Sequence, residues 1–423
     1  MTTPEDLAAA QQRIEENTLI VRARGEALNV ADLLRRNFAG CQPAVESLRP
    51  AISDSTLAVL VGAGPSLDEV SEETWRQSRF YPRFFGSAAA RAAHRKGELW
   101  LGACDVVVCV ESTDTTGYMR DVIAARPPQK RARHEVVVDI CAFPGLWDLL
   151  DPARDSWSVT SRPFFSRLWR DGSCPVFGGF ATTTHAAGII DALMPGAAVV
   201  ALGLDLSHGH GDSERRVYAN GAPWESVVST PNADGTWQLS KDAGRDHAHA
   251  SAGLPLRHRK EDLIDVPCIC GARAGVPPDY WCQVEWLRKF LAPRELHDLR
   301  SHGVSLRGDD PVCLTSTTFP DHHLRAHAPG RLSLERTGRG SWSSMSSAAV
   351  VASEVEACRW LLKYPDQMGP RPPVPGLAML HAAAGRTELV RRGLMPMDFI
   401  EAGRAVIKES AQTMLDVFES CRG

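Results

Sequence analysis

The stretch Val59-Leu-Val-Gly-Ala-Gly-Pro-Ser-Leu-Asp-Glu69 joins an apolar run to a glycine turn and the start of a helix. Its first three aliphatic residues are typical of the end of a buried parallel strand. Gly62 and Gly64 allow a tight turn and a close approach of the backbone to a ligand. Pro65 suits the first turn of a helix, and the side chain of Ser66 or of Asp68 can cap its free N–H groups. The order of strand, glycine turn and helix predicts an anion site, usually for phosphate.

The central part of the chain repeats this alternation of strands and helices. Candidate strands are short runs rich in aliphatic residues, at Leu57–Gly62, Arg83–Gly86, Val106–Glu111, Glu135–Ile140, Pro175–Phe177 and Ala197–Leu204. Candidate helices fall between them, at Leu67–Gln77, Ala88–Lys96, Thr115–Ala125 and Thr182–Leu193. The alternation predicts an α/β fold with a Rossmann-like, doubly wound and mostly parallel sheet. Such sheets bind ligands beyond the carboxyl ends of their strands.

Sequence patterns divide the 423 residues into four regions. Residues 1–50 are predicted to form an N-terminal helical segment, and residues 51–310 a Rossmann-like domain. A polar insertion without clear periodicity, at about 213–265, is typical of a functional loop over a site. Residues 311–344 are interpreted as a linker, and residues 345–423 as a C-terminal helical bundle for packing or oligomerisation.

Charge and hydropathy exclude several classes of protein. A formal net charge of −4 argues against a surface that coats nucleic acid. No apolar stretch is long enough to cross a bilayer and the first residues lack a secretion signal, so a cytoplasmic protein is expected. The 11 scattered cysteines do not suggest a disulfide framework. Cys268-x-Cys270, with Cys282 and nearby histidines, is a candidate zinc site, although it lacks paired Cys-x-x-Cys spacing.

Four stretches follow one another in a specific order. They are Val61-Gly-Ala-Gly-Pro-Ser-Leu-Asp68, Cys104-Asp-Val-Val-Val-Cys-Val-Glu111, Gly178-Gly-Phe-Ala-Thr-Thr-Thr-His-Ala-Ala187 and Leu202-Gly-Leu-Asp-Leu-Ser-His208. Together they resemble the motifs of the motility accessory factor family, whose members are flagellin glycosyltransferases. That family shares a core domain with archaeal-type 6-hydroxymethylpterin diphosphokinases. Two residues depart from the pattern, because Phe180 replaces a small polar residue and Glu111 replaces an aspartate.

The resemblance implies a nucleotide site and a transferase. The implied donor is a sialic-acid-like, nonulosonic sugar linked to cytidine monophosphate (CMP), and the implied acceptor is a Ser or Thr hydroxyl of a protein such as flagellin. Two alternatives stay open: a diphosphokinase that uses ATP and magnesium, and a nucleotide-binding module without catalysis. The segments outside the sheet domain favour the transferase, since extra surface suits a macromolecular acceptor.

The chemistry assigns roles to residues in these stretches. The nucleotide and its phosphates are expected to contact Gly62, Gly64, Pro65, Ser66, Leu67, Glu111, Gly178, Gly179 and Thr182. Candidate catalytic residues are Asp205, His208 and His185, with His210 in the same loop as His208. Glu111 and Asp205 are the expected magnesium ligands if the reaction requires that ion.

Overall fold

A computed structural model describes residues 42–307, 347–364 and parts of 404–419. Inside the first range the undescribed positions are 53–54, 112–113, 129–132, 140–141, 159–180, 212, 232–236, 240–263 and 277. In the last range the described positions are 404–405, 408–409, 411–416 and 419. Several predictions lie outside the described residues: the helical segment up to residue 41, the linker at 311–344, strand Pro175–Phe177, Gly178 and Gly179.

The described residues form short strands separated by helices. The strands are β1 (Gln42–Pro43), β2 (Leu57–Val61), β3 (Pro82–Gly86), β4 (Cys104–Cys109), β5 (Arg133–Asp139), β6 (Ser156–Ser158), β7 (Ala198–Leu202), β8 (Gly209–His210), β9 (Arg215–Arg216), β10 (Val228–Pro231), β11 (Trp237–Leu239), β12 (Ile264–Pro267), β13 (Arg273–Val276) and β14 (Leu296–Asp298). The α-helices are α1 (Ala44–Ile52), α2 (Glu72–Ser78), α3 (Ser87–Arg95), α4 (Thr116–Ala124), α5 (Thr182–Leu193), α6 (Pro278–Leu291) and α7 (Ser347–Lys363).

The main sheet has eight strands in the order β1-β6-β5-β4-β3-β2-β7-β14. Every neighbouring pair in it is parallel. The chain adds strands outward from β2 to β6 and then returns to place β7 on the other side of β2. This reversal between β2 and β7 is the topological switch point, where open α/β sheets bind their ligands. The predicted Rossmann-like α/β fold is confirmed.

The core lies along the central strands. Strands β2, β3, β4 and β7 are buried at every position, because side chains on both faces of a covered parallel sheet enter a core. Helix α7 adds Val355, Cys358 and Leu361 to the same hydrophobic cluster. Among the helices that the structure describes, none has the length and apolar character needed to span a bilayer.

Three local features differ from the sequence predictions. The helix predicted over Leu67–Gln77 is divided into a 3₁₀ helix at Pro65–Glu69 and α2, because the Ser71 hydroxyl accepts the Thr74 N–H and starts a new helix. Strands β1, β6 and β14 were not predicted, since none of them contains an apolar run. Part of the polar insertion belongs to two small antiparallel sheets, β11-β10-β9 and β12-β13-β8.

Candidate functional site

Two glycine turns meet at the switch point. The Gly62 N–H donates to the Leu202 carbonyl at 2.8 Å, and the Gly64 N–H donates to the Gly203 carbonyl at 2.7 Å. A Cβ atom built on Gly62 would lie 2.4 Å from the Gly203 oxygen, and one on Gly203 would lie 2.4 Å from the Gly62 oxygen. Both glycines are therefore required for the two turns to touch each other.

We expect Gly203→Ala to destabilise the protein more than Gly196→Ala. Both glycines have positive φ angles, +62° and +82°, which cost an alanine about 1–2 kcal/mol. Only at Gly203 does the new methyl group also meet backbone, while no atom lies within 4 Å of a Cβ on Gly196. Overpacking adds about 1–3 kcal/mol to the cost. Denaturant unfolding of the two variants measures the difference, and equal losses would contradict the close contact between the turns.

The Asp205 carboxylate fills the concave side of the first turn. It accepts the Ser66 N–H at 2.8 Å and also the Ser66 hydroxyl, which was predicted to cap the helix instead. The Leu67 N–H donates to the Gly64 carbonyl at 3.0 Å, and Pro65 has no N–H to offer. The N–H groups predicted to hold phosphate thus already have acceptors. Phosphate binding through this turn would require Asp205 to move.

Buried charge holds the loop that carries Asp205. The Arg300 guanidinium forms a bidentate pair with the Asp298 carboxylate, and both side chains are buried. Arg300 also donates to the Leu204 carbonyl, one residue before Asp205. Leu206, one residue after it, has a φ of +52°, a left-handed conformation that is strained for leucine. This strain is maintained by the surrounding contacts, as is common at functional sites.

His302 is a candidate site residue that the sequence analysis missed. Its Nε2 lies 3.2 Å from Asp205 Oδ2, and its Nδ1 lies 2.9 Å from the Ser301 hydroxyl and 3.8 Å from Glu69 Oε1. His302 is buried, whereas the Glu69 side chain is 55% exposed, so the pair lies just below the protein surface. His302 follows β14, which pairs with β7, and this position could have located it. Strand β14 was not predicted.

His210 lies beside this pair and contacts Cys270, which in turn lies next to Cys268. Its Nε2 is 2.8 Å from Cys270 Sγ, which is 3.2 Å from Cys268 Sγ, and its ring centroid is 4.9 Å from that of His302. Burial, followed by the charges of Arg215 and His302, lowers the pKa of His210 to about 4, so its imidazole is neutral at pH 7. Burial also raises the pKa of the Cys268 thiol to about 11.

His208 contacts Tyr280 of α6. Its backbone N–H donates to the Gly275 carbonyl at 2.8 Å, and its ring makes an edge contact with Tyr280 of α6 at 4.8 Å between centroids. The side chain is buried. The structure therefore gives His208 a packing contact, and its predicted catalytic role stays a prediction.

Glu111 forms a second polar cluster, at the carboxyl ends of β3 and β4. The Ser87 and Thr182 hydroxyls both donate to Glu111 Oε1, the latter at 2.7 Å. The Tyr118 hydroxyl lies 3.4 Å from the Ser87 hydroxyl. Burial, and then the Glu111 charge, raise the pKa of Tyr118 well above its usual range, so it remains a neutral donor. Thr182 is also the first residue of α5, whose bounds match the prediction.

His185 belongs to neither cluster. It is fully buried, and its Nε2 lies 2.6 Å from the Ser158 hydroxyl and 3.4 Å from Asp139 Oδ2. Those partners end β6 and β5, and β5 is separated from β7 by β4, β3 and β2. The structure therefore does not bring His185 together with Asp205, because its contacts lie towards the far side of the sheet.

The fold is similar to that of a MAf glycosyltransferase. One similar solved structure is that of the MAf glycosyltransferase from Magnetospirillum magneticum AMB-1, with a TM-score of 0.52 and 13% sequence identity. The likeness covers 95% of this chain and 60% of the other chain. No family model matches the sequence, and no curated protein matches it. At this identity the likeness establishes the fold alone.

Within this fold, Glu111 and Asp205 occupy separate places. Glu111 follows β4 and Asp205 follows β7, with β3 and β2 between them. Three strand spacings correspond to about 14 Å. Each carboxylate also accepts hydrogen bonds from its own neighbours. The two carboxylates therefore do not converge on one point, and their expected role as magnesium ligands stays a prediction.

Proposed function

We propose that this protein is a glycosyltransferase that moves a nonulosonic sugar from a CMP-linked donor to a Ser or Thr hydroxyl of a protein such as flagellin. The observation that carries the proposal is the extent of the fold likeness, because 95% of this chain aligns with a protein named as a MAf glycosyltransferase. The four ordered motifs support the finer terms: the CMP donor, the acidic sugar and the flagellin acceptor.

The Asp205–His302 pair suits the acceptor side of this reaction. Transfer to a hydroxyl requires a general base that removes its proton as the new glycosidic bond forms. An imidazole nitrogen can accept a proton, and His302 Nε2 lies 3.2 Å from the Asp205 carboxylate, whose charge is opposite to that of an imidazolium. The pair lies just below the partly exposed Glu69, where a protein acceptor can approach with a small movement of side chains. In this proposal His302 is the base and Asp205 supports it.

The Glu111 cluster suits the donor side. A carboxylate at the end of a parallel strand is the group that accepts ribose hydroxyls in many nucleotide sites. Its neighbour Thr182 opens α5, a 12-residue helix whose N-terminal N–H groups and dipole favour a phosphate. In this proposal Glu111 binds the ribose of CMP, and the start of α5 binds its phosphate. The leaving phosphate needs such donors because negative charge develops on it during transfer.

The diphosphokinase alternative has less support. Diphosphoryl transfer uses magnesium to bridge the phosphates, so hard oxygen ligands must converge on the ion. The two predicted ligands, Glu111 and Asp205, follow strands about 14 Å apart. A non-catalytic nucleotide-binding module is distinguished from an enzyme only by turnover.

We expect CMP to raise the melting temperature of the protein without added metal. A ligand present at 100 times its dissociation constant stabilises the folded state by about 2.7 kcal/mol. Thermal unfolding with CMP, CDP, ATP–magnesium and a pterin alcohol compares the alternatives. Glu111→Gln should reduce the CMP effect because it removes the charge that accepts the ribose hydroxyls. Glu73→Gln, which alters an exposed carboxylate on α2, is the matched control.

Two outcomes would contradict the proposal. Stabilisation by ATP–magnesium alone would favour the diphosphokinase. Mass spectrometry of flagellin detects transfer of the sugar from a CMP-linked nonulosonic donor. A protein that binds CMP but transfers no sugar in this assay would favour the binding module.

A further inference from the structure

Three metal-ligating side chains meet on the β8–β13–β12 sheet, next to the candidate site. The possible ligand atoms of His210, Cys268 and Cys270 all lie within 4.8 Å of one another. The His210 Nε2 to Cys270 Sγ distance is 2.8 Å, and the Cys270 Sγ to Cys268 Sγ distance is 3.2 Å. No step of the proposed glycosyl transfer uses these three side chains.

Backbone structure brings the three residues together from distant parts of the chain. His210 of β8 pairs with Ala274 of β13, and β13 forms a hairpin with β12. The two cysteines lie at the turn of that hairpin, where the Gly271 N–H donates to the Cys268 carbonyl at 2.9 Å. Gly271 has a φ of +88°, a conformation that glycine adopts without strain. The tight turn and the strand pairing therefore present two sulfur atoms and one ring nitrogen to the same point.

We propose that His210, Cys268 and Cys270 bind a zinc ion. Two thiolates and an imidazole form a ligand set suited to zinc, which binds sulfur at about 2.3 Å and nitrogen at about 2.0–2.1 Å in tetrahedral geometry. Those bond lengths place two sulfur ligands about 3.8 Å apart and a sulfur and a nitrogen about 3.5 Å apart. The observed distances are shorter by about 0.6–0.7 Å, so small side-chain rotations open the site to the ion.

The surroundings of Cys268 fit a metal-bound thiolate. The Gly303 N–H donates to Cys268 Sγ at 3.1 Å, an outer contact of the kind that orients and stabilises metal ligands. Cys268 is buried, whereas Cys270 is exposed, so the ion would lie at the edge of the small sheet with access from solvent.

The part of the chain that the structure describes supplies three protein ligands to the zinc ion. Among the described residues, His210, Cys268 and Cys270 are the whole group that can share one ion. Cys282, which the sequence analysis named with the two cysteines, has a side chain that lies outside the part of the chain that the structure describes. Three protein ligands with a fourth position for water or substrate are typical of catalytic zinc sites. The ring of His302 lies 4.9 Å from that of His210, so the ion would lie next to the Asp205–His302 pair.

Zinc content tests the proposal independently of any transferase activity. The full chain is purified without a metal-affinity tag, reduced, loaded with zinc sulfate and transferred to metal-free buffer for elemental analysis. We expect about one zinc ion per chain. Cys270→Ser and His210→Ala each remove a zinc ligand. Each should weaken zinc binding by more than about 10–100-fold, which is the usual cost of losing a residue that only hydrogen-bonds to a metal ligand. Cys104→Ala and His208→Ala, which change the same residue types outside the cluster, should retain the ion.

Cobalt provides a second readout. Reduced protein titrated with Co²⁺ should develop thiolate-to-metal charge-transfer absorption, and Cys270→Ser should weaken it. Circular dichroism checks that each variant is folded. If Cys270→Ser is not folded, Cys270→His, which replaces the sulfur ligand with a nitrogen ligand, should be folded and bind zinc. Three results would overturn the proposal. The first is a protein that retains no zinc, and the second is a Cys268–Cys270 disulfide that forms in place of metal binding. The third is that the His210→Ala and Cys270→Ser variants keep the zinc ion.

Discussion

Asp205→Asn is expected to slow glycosyl transfer by about 10²–10⁴-fold, the usual contribution of general-base catalysis. The amide keeps the size of the carboxylate and can still accept the Ser66 N–H, so the turn keeps its shape. It carries no charge, however, to stabilise protonated His302 at 3.2 Å. Steady-state rates with a CMP-linked donor, separated into kcat and KM, measure the effect. The loss should appear in kcat.

Two further variants distinguish this role from a structural one. His302→Ala should cause a loss similar to that of Asp205→Asn, and the double variant should be no slower than either single variant, because the two groups act as a unit. Ser66→Ala removes one hydrogen bond to Asp205 and should cost about 1 kcal/mol of stability with a smaller change in rate. A lower melting temperature with unchanged kcat in Asp205→Asn would assign the carboxylate to folding alone.

Asp105→Ala is expected to reduce the free energy of unfolding by about 3–5 kcal/mol. Asp105 of β4 faces Arg83 of β3 in the sheet register, and their side chains form two bonds of 2.6 Å. Both side chains are completely buried. Removing the carboxylate leaves the guanidinium charged in a region without water, which is why the cost is large. Denaturant unfolding monitored by circular dichroism measures the loss.

An exposed ion pair supplies the control for this effect. Glu73→Ala breaks the Glu73–Arg76 pair on α2, whose side chains are more than half exposed, so it should cost much less stability than Asp105→Ala. The double variant Arg83→Met/Asp105→Leu should recover most of the stability, since apolar residues of similar volume remove the unpaired charge. A double variant as unstable as Asp105→Ala would show that packing, rather than charge, determines the loss.

The sequence predicted the sheet well where its strands are aliphatic. Runs such as Leu57–Val61 and Ala198–Leu202 are buried on both faces, so they carry a continuous apolar signal. Helix Thr182–Leu193 was predicted with its observed bounds. Strands Ser156–Ser158 and Leu296–Asp298 gave no such signal, because each has only three residues, which pair with their neighbours through the backbone and form no apolar run.

The candidate site was predicted only in part, because its contacts join distant segments. Asp205 and the Gly62–Leu67 turn each have a local motif, and their proximity follows from the rule that ligands bind at strand ends. His302 has no motif of its own, and its link to Asp205 depends on β14 pairing with β7. His210 and Cys270 are 60 residues apart, and only the pairing of β8 with β13 brings them into contact.

The position of Asp205 against the Ser66 N–H has a consequence for anion binding. A carboxylate attached to the protein acts on its partners at an effective concentration in the millimolar range or above, as any tethered ligand does. A free anion must therefore compete with an internal one for the Ser66 N–H and hydroxyl. Simple anions at lower concentrations are excluded by this competition. A ligand gains access only when contacts elsewhere on the same molecule compensate for displacing the Asp205 carboxylate.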